Sequence, residues 1–294
     1  MPKISVIIPT LNAATFIKGL LESLQNQTVS VDEIIVIDSS STDNTVSFAS
    51  AYDCVRTIVI SREDFNHGTT RHRAFIEAQG DIVCFLTQDA LPLNERYLEN
   101  LLQPFDNKKV ALCSGRQLPK SEARRFVRLV QNYNYPEESN LRSMADIDSL
   151  GIKAFFASDV CSAYRRTAYL ECGGFQEVNT NEDMLMAASL LKNGWLVAYA
   201  ADAKVLHSHN LSFVQQYERN KEIGFFLETH ASELMGVNEA GEGMRLVKSI
   251  SAKLIHERSV GELLRFGCDC CARAFGNRKG RALAKKSMAA KEIN

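Results

Sequence analysis

Several features that mark particular classes of protein are absent from this 294-residue sequence. Its 34 Lys and Arg residues nearly balance 35 Asp and Glu residues, so the formal charge of −1 gives no reason to expect nucleic acid as a partner. There is no run of about 18 apolar residues that would form a membrane-spanning helix. A signal peptide is not expected either, because the first apolar strand begins near Lys3. The composition therefore predicts a cytoplasmic protein.

Two common cofactor patterns are absent as well. The eight cysteines do not have zinc-site spacing, and we interpret the group at 268–271 (CDCC) as reduced thiols on a helix. The glycine-rich G-x-G-x-x-G turn does not follow the first strand, where residues 9–12 read PTLN. This absence argues against an NAD-dependent oxidoreductase.

What the sequence does contain is a regular alternation of short apolar runs and amphipathic stretches. The apolar runs are typical of strands buried on both faces. Strands are predicted at 4–9, 33–37, 57–60, 82–86, 110–114, 159–164 and 196–206, and helices at 14–25, 68–79, 121–134 and 181–193. This order predicts an α/β domain with a mostly parallel sheet over residues 1–210. Residues 211–294 are predicted to form a helical C-terminal region.

Three polar clusters follow predicted strands, at 10–12, 38–43 and 87–89. Ligands of parallel α/β sheets bind beyond the carboxyl ends of the strands. Asp89 is one of these residues. Either its carboxylate binds a divalent cation that bridges diphosphate oxygens, or Asp89 is a helix N-cap or turn residue. His207 and His209 share one face of an extended segment. They either complete a metal site with Asp89 or are surface or structural histidines.

The start of the helix at 68–79 is unusually basic. His67, Arg71, His72 and Arg73 crowd a helix N-terminus, where the helix dipole disfavours each cation by about 0.3–1 kcal/mol. An anion bound there would reverse this cost. The segment is therefore either an anion site or a solvated basic face.

An acidic pair, Glu182 and Asp183, begins a later helix. Acidic residues are common at helix starts because they complement the dipole. The alternative is a general base, which must lie within hydrogen-bond reach of an acceptor hydroxyl.

Taken together, five segments in this order resemble the family 2 glycosyltransferases, which have the GT-A fold. The resemblance runs from Ile4 to about Asn210. Its segments are SVIIPTLN (5–12), DSSSTDNT (38–45), LTQDA (86–90), CGGFQE (172–177) and NEDMLMA (181–187). It implies an inverting transfer of a sugar from a nucleoside-diphosphate donor.

The resemblance also implies roles for individual residues. Asp183 would be the general base with Glu182 in support, and Asp89 would bind Mg²⁺ or Mn²⁺ with His207 or His209 as a late ligand. The nucleotide-binding residues would be Pro9, Thr10, Asn12, Asp38, Ser40, His67, Gly68, Arg71 and Gln88.

Two positions depart from the family pattern. Thr87 replaces the first Asp of the D-x-D metal motif, which leaves Asp89 as the single carboxylate of that motif. Ser39 replaces a frequent second Asp after strand two, which changes how the nucleobase would be read.

Within the family, FNHGTTR (65–71), TQDA (87–90) and HSHN (207–210) look most like bacterial rhamnosyltransferases that use dTDP-L-rhamnose. That likeness implies a saccharide or lipid-linked saccharide acceptor in O-antigen or capsule assembly. The alternatives are the same reaction with a UDP-hexose donor and a non-catalytic nucleotide-sugar-binding protein.

The C-terminal region is rich in basic residues. Residues 244–291 hold twelve Lys or Arg residues against three acidic ones, and each cation near an anionic lipid surface contributes about 1 kcal/mol. We expect a peripheral position at the inner face of the cell membrane. A solvated helical face or a subunit contact, as in a homodimer, is the alternative.

Overall fold

The structure is a computed structural model that describes residues 2–237 and 240–292. Within these residues one sheet of nine strands has the order β3-β2-β1-β4-β8-β6-β9-β5, with β7 paired to β9. The strands are β1 (Ile4–Thr10), β2 (Glu33–Asp38), β3 (Val55–Val59), β4 (Ile82–Leu86), β5 (Leu91–Pro92), β6 (Val110–Leu118), β7 (Asn140–Arg142), β8 (Cys161–Arg165) and β9 (Leu196–Leu206).

Helices cover both faces of this sheet and extend beyond it. They are α1 (Ile17–Gln25), α2 (Thr45–Ala49), α3 (His67–Glu77), α4 (Tyr97–Leu102), α5 (Arg125–Asn134), α6 (Ile147–Leu150), α7 (Arg166–Glu171), α8 (Glu182–Lys192), α9 (Phe213–Thr229), α10 (Ala240–His256) and α11 (Val260–Glu292). The α/β class predicted from the sequence is confirmed.

The sheet separates two apolar cores. Alternate residues of a strand point to opposite faces, so Ile7 packs in the core that contains Phe75 of α3, and Ile8 packs in the core that contains Leu21 of α1. Strands buried on both sides need apolar residues at every position. This requirement explains the uninterrupted apolar runs of β1, β2 and β4.

The direction of the strands changes halfway across the sheet. β1 pairs in parallel with β2 and β4, and β2 pairs in parallel with β3. β8 is antiparallel to both β4 and β6. The sheet is therefore mixed, and the parallel arrangement expected from the sequence applies to its N-terminal half and to the β6–β9 pair.

Several element boundaries differ from those expected. The strand predicted at 110–114 continues to Leu118, across a register shift that follows Gly115. The helix predicted to reach Gln79 ends at Glu77, and its first turn is capped by Asn66, whose side chain accepts a hydrogen bond from the Thr69 backbone N–H. The segment 135–150, expected to be a loop, contains the short strand β7.

The C-terminal helices pack against the α/β part of the chain. Phe126 and Leu129 of α5 form a third apolar cluster with Ile250 and Leu254 of α10 and Phe266 of α11. None of the helices in the described ranges is long and apolar enough to cross a membrane.

Backbone contact also joins α9 to α11. A side-chain Cβ at Gly280 would lie 1.9 Å from the backbone oxygen of Lys221, and one at Gly276 would lie 2.3 Å from the backbone oxygen of Tyr217. Small residues four apart on one helix face allow this approach. Any larger residue there would push the two helices apart.

Candidate active site

A cleft of about 320 Å³ opens at the carboxyl ends of β1 and β4. Gln88 links the two strand ends, since its Oε1 accepts a hydrogen bond from the Leu11 N–H at 2.7 Å. Of the residues assigned to nucleotide or metal by the resemblance, those that line the cleft are Pro9, Thr10, His67, Arg71, Gln88 and Asp89. Sequence reasoning missed Arg62 and Phe65, which also line it.

Asp38 lies behind the surface of this cleft. It is fully buried, and its Oδ2 accepts hydrogen bonds from the hydroxyls of Thr10 and Ser41, at 2.8 and 2.6 Å. Asn12 accepts from the Thr42 N–H at 2.9 Å, and the Ser40 hydroxyl donates to the Ile60 carbonyl at 2.7 Å. These residues fix the loops after β1 and β2.

Gly68 has a packing role at the start of α3. A Cβ there would lie 1.9 Å from the backbone oxygen of Gln176. The Gly68 N–H donates to the Val178 carbonyl at 3.1 Å. The segment after 172 can therefore approach the first turn of α3, which brings the acidic pair of α8 close to Arg71.

The basic helix start divides into two parts. Arg71 is only 6% exposed and its Nη1 contacts Glu182 Oε1 at 2.8 Å and His67 Nδ1 at 2.8 Å. His72 instead bonds Tyr169 at 3.0 Å, and Arg73 is exposed. Arg71 thus pairs with the acidic residues of α8, while Arg73 belongs to the solvated face.

A second carboxylate, Asp159, joins this group. It is 3% exposed, and its Oδ1 accepts hydrogen bonds from Ser162 at 2.6 Å and from Tyr164 at 2.8 Å. Its Oδ2 lies 3.9 Å from Arg71 Nε. The Asp159 backbone N–H donates to Asp183 Oδ2 at 3.2 Å. Glu182 and Asp159 therefore share one arginine, and Asp183 lies beside them.

This crowding changes the acidity of the group. Burial raises the pKa of Asp183 well above its usual range, and the negative charges of Glu182 and Asp159 raise it further. Burial also raises the pKa of Asp159 to about 6, partly offset by Arg71. A carboxylate with a raised pKa is a stronger base than an ordinary one, as proton abstraction from a hydroxyl requires.

Asp89 meets both late histidines at the edge of the cleft. Its Oδ1 lies 3.5 Å from His207 Nε2 and its Oδ2 lies 3.4 Å from His209 Nε2. The two Nε2 atoms are 3.1 Å apart, and one ligand atom from each of the three residues falls within 4.8 Å of the others. Asp89 therefore faces two side chains of the loop that follows β9.

The donor set fits a divalent metal ion. Gln117 Oε1 lies 2.9 Å from His207 Nδ1, an arrangement that places the ring proton on Nδ1 and leaves Nε2 free to bind metal. Burial lowers the pKa of His207 to about 4, so the ring is neutral at pH 7. The ammonium of Lys120 is 3.7 Å from Asp89 Oδ2 and adds positive charge beside the site.

Sequence reasoning missed Asp159 and Lys120 for identifiable reasons. Asp159 begins the strand predicted at 159–164, whereas the ligands of a parallel sheet are expected beyond strand ends. Because β8 is antiparallel to β4, its start lies at the same sheet edge as Thr87. Lys120 follows β6, which continues to Leu118 instead of ending at residue 114.

Comparison with known proteins identifies the family of this chain. The sequence model of Glycosyl transferase family 2 matches residues 5–173. The chain belongs to this family. This chain is 42% identical over 253 residues to the O-antigen chain rhamnosyltransferase WbaN of Salmonella anatum. The alignment covers 85% of this chain and 80% of the relative. This chain is 40% identical to RfbN of Salmonella typhimurium, another O-antigen chain rhamnosyltransferase, over 84% and 80% of the two chains.

Solved structures share the fold of this glycosyltransferase. The mannosyltransferase PcManGT of Pyrobaculum calidifontis, in complex with GDP-Man and Mn²⁺, superposes with a TM-score of 0.60 at 17% identity, over 99% of this chain and 87% of the other. TarS of Staphylococcus aureus (residues 1–349) in complex with UDP-GlcNAc gives 0.57 at 17% identity, over 98% and 92%. The family and the GT-A fold predicted from the sequence are confirmed.

Proposed function

We propose that this glycosyltransferase transfers L-rhamnose from dTDP-L-rhamnose, with inversion, to a saccharide hydroxyl in O-antigen assembly. The observation that carries the proposal is the convergence of Asp89, His207 and His209 at the edge of a cleft that Arg71 also lines, with Glu182 of the acidic pair bound to Arg71 behind it. The 40–42% identity to two O-antigen chain rhamnosyltransferases supports the choice of sugar.

Asp183 is the proposed base. It takes the proton of the acceptor hydroxyl as that oxygen attacks the anomeric carbon, and the bond from that carbon to the donor diphosphate breaks, so that dTDP leaves. Arg71 and Glu182 hold the start of α8 in place through their 2.8 Å ion pair. When bound, a divalent cation supplies positive charge to neutralise the departing diphosphate.

Mn²⁺ suits the proposed metal residues better than Mg²⁺ does. Mg²⁺ prefers an octahedral shell of oxygen ligands, whereas imidazole nitrogens bind transition metals more readily. Two of the three groups here are imidazoles. We therefore expect higher activity with Mn²⁺ at equal, low concentrations of free metal.

The test of the function combines a donor panel with one variant. Thermal-shift and turnover assays with dTDP-, UDP- and GDP-sugars and Mn²⁺ are expected to select dTDP-L-rhamnose. Asp183→Asn is expected to lower transfer by about 10²–10⁴-fold, the usual contribution of a general base. Donor affinity should remain, because Asp183 does not line the cleft. Wild-type transfer rates in this variant would rule out the base assignment, and a response to UDP-sugars alone would rule out the donor.

A membrane-surface location is proposed for the C-terminal helices. Large apolar side chains are exposed among the basic residues of α10 and α11, including Ile255, Leu264 and Phe275. Such a face suits an anionic bilayer that carries a lipid-linked acceptor. Co-sedimentation with phosphatidylglycerol vesicles at low salt should be strong, and it should be lost with phosphatidylcholine vesicles. No binding to either lipid would contradict the proposal.

A further inference from the structure

A second cavity, of about 250 Å³, lies between α5, α9 and α11. His207 and His209 line it, whereas Asp89 lines the donor cleft. Because these three side chains contact one another, the two cavities meet at the metal residues. A group held in the second cavity would therefore lie next to the bond that breaks in the donor.

The same cavity also approaches the proposed base. Ser158 lines it, and the next residue, Asp159, donates its backbone N–H to Asp183. Tyr135 lines it as well. Burial raises the pKa of Tyr135, and the negative charge of Asp183 makes a smaller contribution in the same direction. The second cavity thus lies between the metal residues and the base, where an acceptor hydroxyl is required.

The lining of the cavity is polar and carries a net positive charge. Asp269 of α11 is buried and pairs with Arg273 at 2.6 Å, and Arg219 of α9 adds a second guanidinium. These groups can donate hydrogen bonds to hydroxyls and accept them from hydroxyls. Val127 and Val130 of α5 supply an apolar side. A sugar ring has this combination of hydroxyl edges and an apolar face.

Asn134, the last residue of α5, offers a further polar group at the rim. It lines the cavity and is half-buried, and within the described part of the chain no side-chain hydrogen bond engages its amide. An amide can donate two hydrogen bonds and accept two. Its position at the rim would let it bind a hydroxyl of an entering sugar.

We propose that this cavity binds the terminal sugar of the acceptor as one pyranose ring. The volume is below the roughly 300 Å³ at which sites for drug-sized ligands begin, so one ring fits and the rest of the acceptor remains outside. The proposal rests on the proposed function, since it assigns the second substrate of the same reaction. It makes α9 and α11 part of the active site.

The experiment separates transfer to a sugar from transfer to water. Release of dTDP from dTDP-L-rhamnose is measured with Mn²⁺, first in buffer and then with the methyl glycosides of galactose, glucose, mannose and rhamnose. Asn134→Trp should fill the cavity, and Asn132→Trp is the matched control, because Asn132 is exposed on the same helix and does not line the cavity.

At least one glycoside is expected to accelerate dTDP release by the wild type. Asn134→Trp should lose that acceleration yet keep the release in buffer and the affinity for dTDP, and Asn132→Trp should behave as the wild type. Asn134→Ala should raise the KM for the glycoside by about 2–10-fold, as for one lost hydrogen bond. These results would support the cavity as the acceptor site.

Two results would overturn the inference while leaving the proposed function intact. One is undiminished glycoside-dependent release by Asn134→Trp. The other is a wild type that releases dTDP in buffer but responds to none of the four glycosides. A wild type that neither binds dTDP nor releases it from the donor would instead count against the proposed function.

Discussion

At the scale of single residues, the shared use of Arg71 shapes the chemistry of the site. Sequence similarity implies that Arg71 contacts the donor, and it does line the cleft; its guanidinium is nearly buried and pairs with Glu182. Asp159 lies beside this pair, and its backbone N–H donates to Asp183. Burial, together with the negative charges of Glu182 and Asp159, raises the pKa of Asp183.

The first residue-scale prediction concerns pH. Asp183 must be ionised to act as a base, so activity falls as the pH drops through its raised pKa. Asp159→Asn removes a neighbouring negative charge, which should lower the pKa of Asp183 and move the acid limb of kcat/KM to lower pH. Asp64→Asn, at an exposed site, should leave the profile unchanged. A limb that stays in place or moves to higher pH in Asp159→Asn would contradict this account.

The second residue-scale prediction concerns the metal. Asp89→Ala removes the only carboxylate of the group formed with His207 and His209. Calorimetric titration with dTDP should show that Mn²⁺ strengthens binding to the wild type by at least about tenfold, or 1.4 kcal/mol, and has little effect on the variant. Asp202→Ala, an exposed carboxylate, is the control. The same Mn²⁺ effect in Asp89→Ala would show that the metal binds elsewhere.

At the scale of elements, the α9–α11 contact depends on missing side chains. Gly280→Ala would place a Cβ 1.9 Å from a backbone atom of α9, whereas Gly267, on the same helix, has nothing within 4 Å of an added Cβ. Gly280→Ala should destabilise the protein by about 1–3 kcal/mol through overpacking. Gly267→Ala should stabilise it by up to about 1 kcal/mol through its higher helix propensity. Urea unfolding would compare them, and equal stabilities would show that the helices do not depend on this contact.

Elements also show how far the sequence could predict the fold. The strands β1, β2 and β4 could be located because residues buried on both faces leave an uninterrupted apolar run. The direction of β8 could not be predicted, because it depends on the path of the chain between strands. The residues within a strand do not indicate whether its neighbour is parallel or antiparallel. That single reversal brings Asp159 to the active-site edge, which explains why the carboxylate was missed while Asp89 and the two histidines were identified.

At the scale of the whole molecule, the boundary predicted at residue 210 does not coincide with a gap in the packing. Phe126 and Leu129 belong to the first part, yet they are buried against α10 and α11. The lining of the second cavity crosses the same boundary. The sequence suggested two regions because the alternation of strands and helices gives way to helices alone near residue 210. This change in secondary structure does not indicate whether the two regions contact each other.

The prediction at this scale concerns truncation. A chain that ends at residue 210 would expose the apolar side of α5, so it should bind a hydrophobic dye and aggregate. The full chain should unfold in one cooperative transition. Calorimetry would measure the transitions, and size-exclusion chromatography would measure the state of the fragment. A monomeric fragment with a sharp transition of its own would mean that residues 1–210 are an independent domain.

The lining of the second cavity has a consequence for how this enzyme can diverge. Gln216, Asn220 and Asp269 line it from the C-terminal helices, whereas the residues that line the donor cleft all precede residue 90. Mutations in α9 and α11 can therefore accumulate without touching the donor cleft. If the second cavity holds the acceptor, a lineage could change the sugar that it extends through substitutions in these two helices while it continues to use the same activated donor.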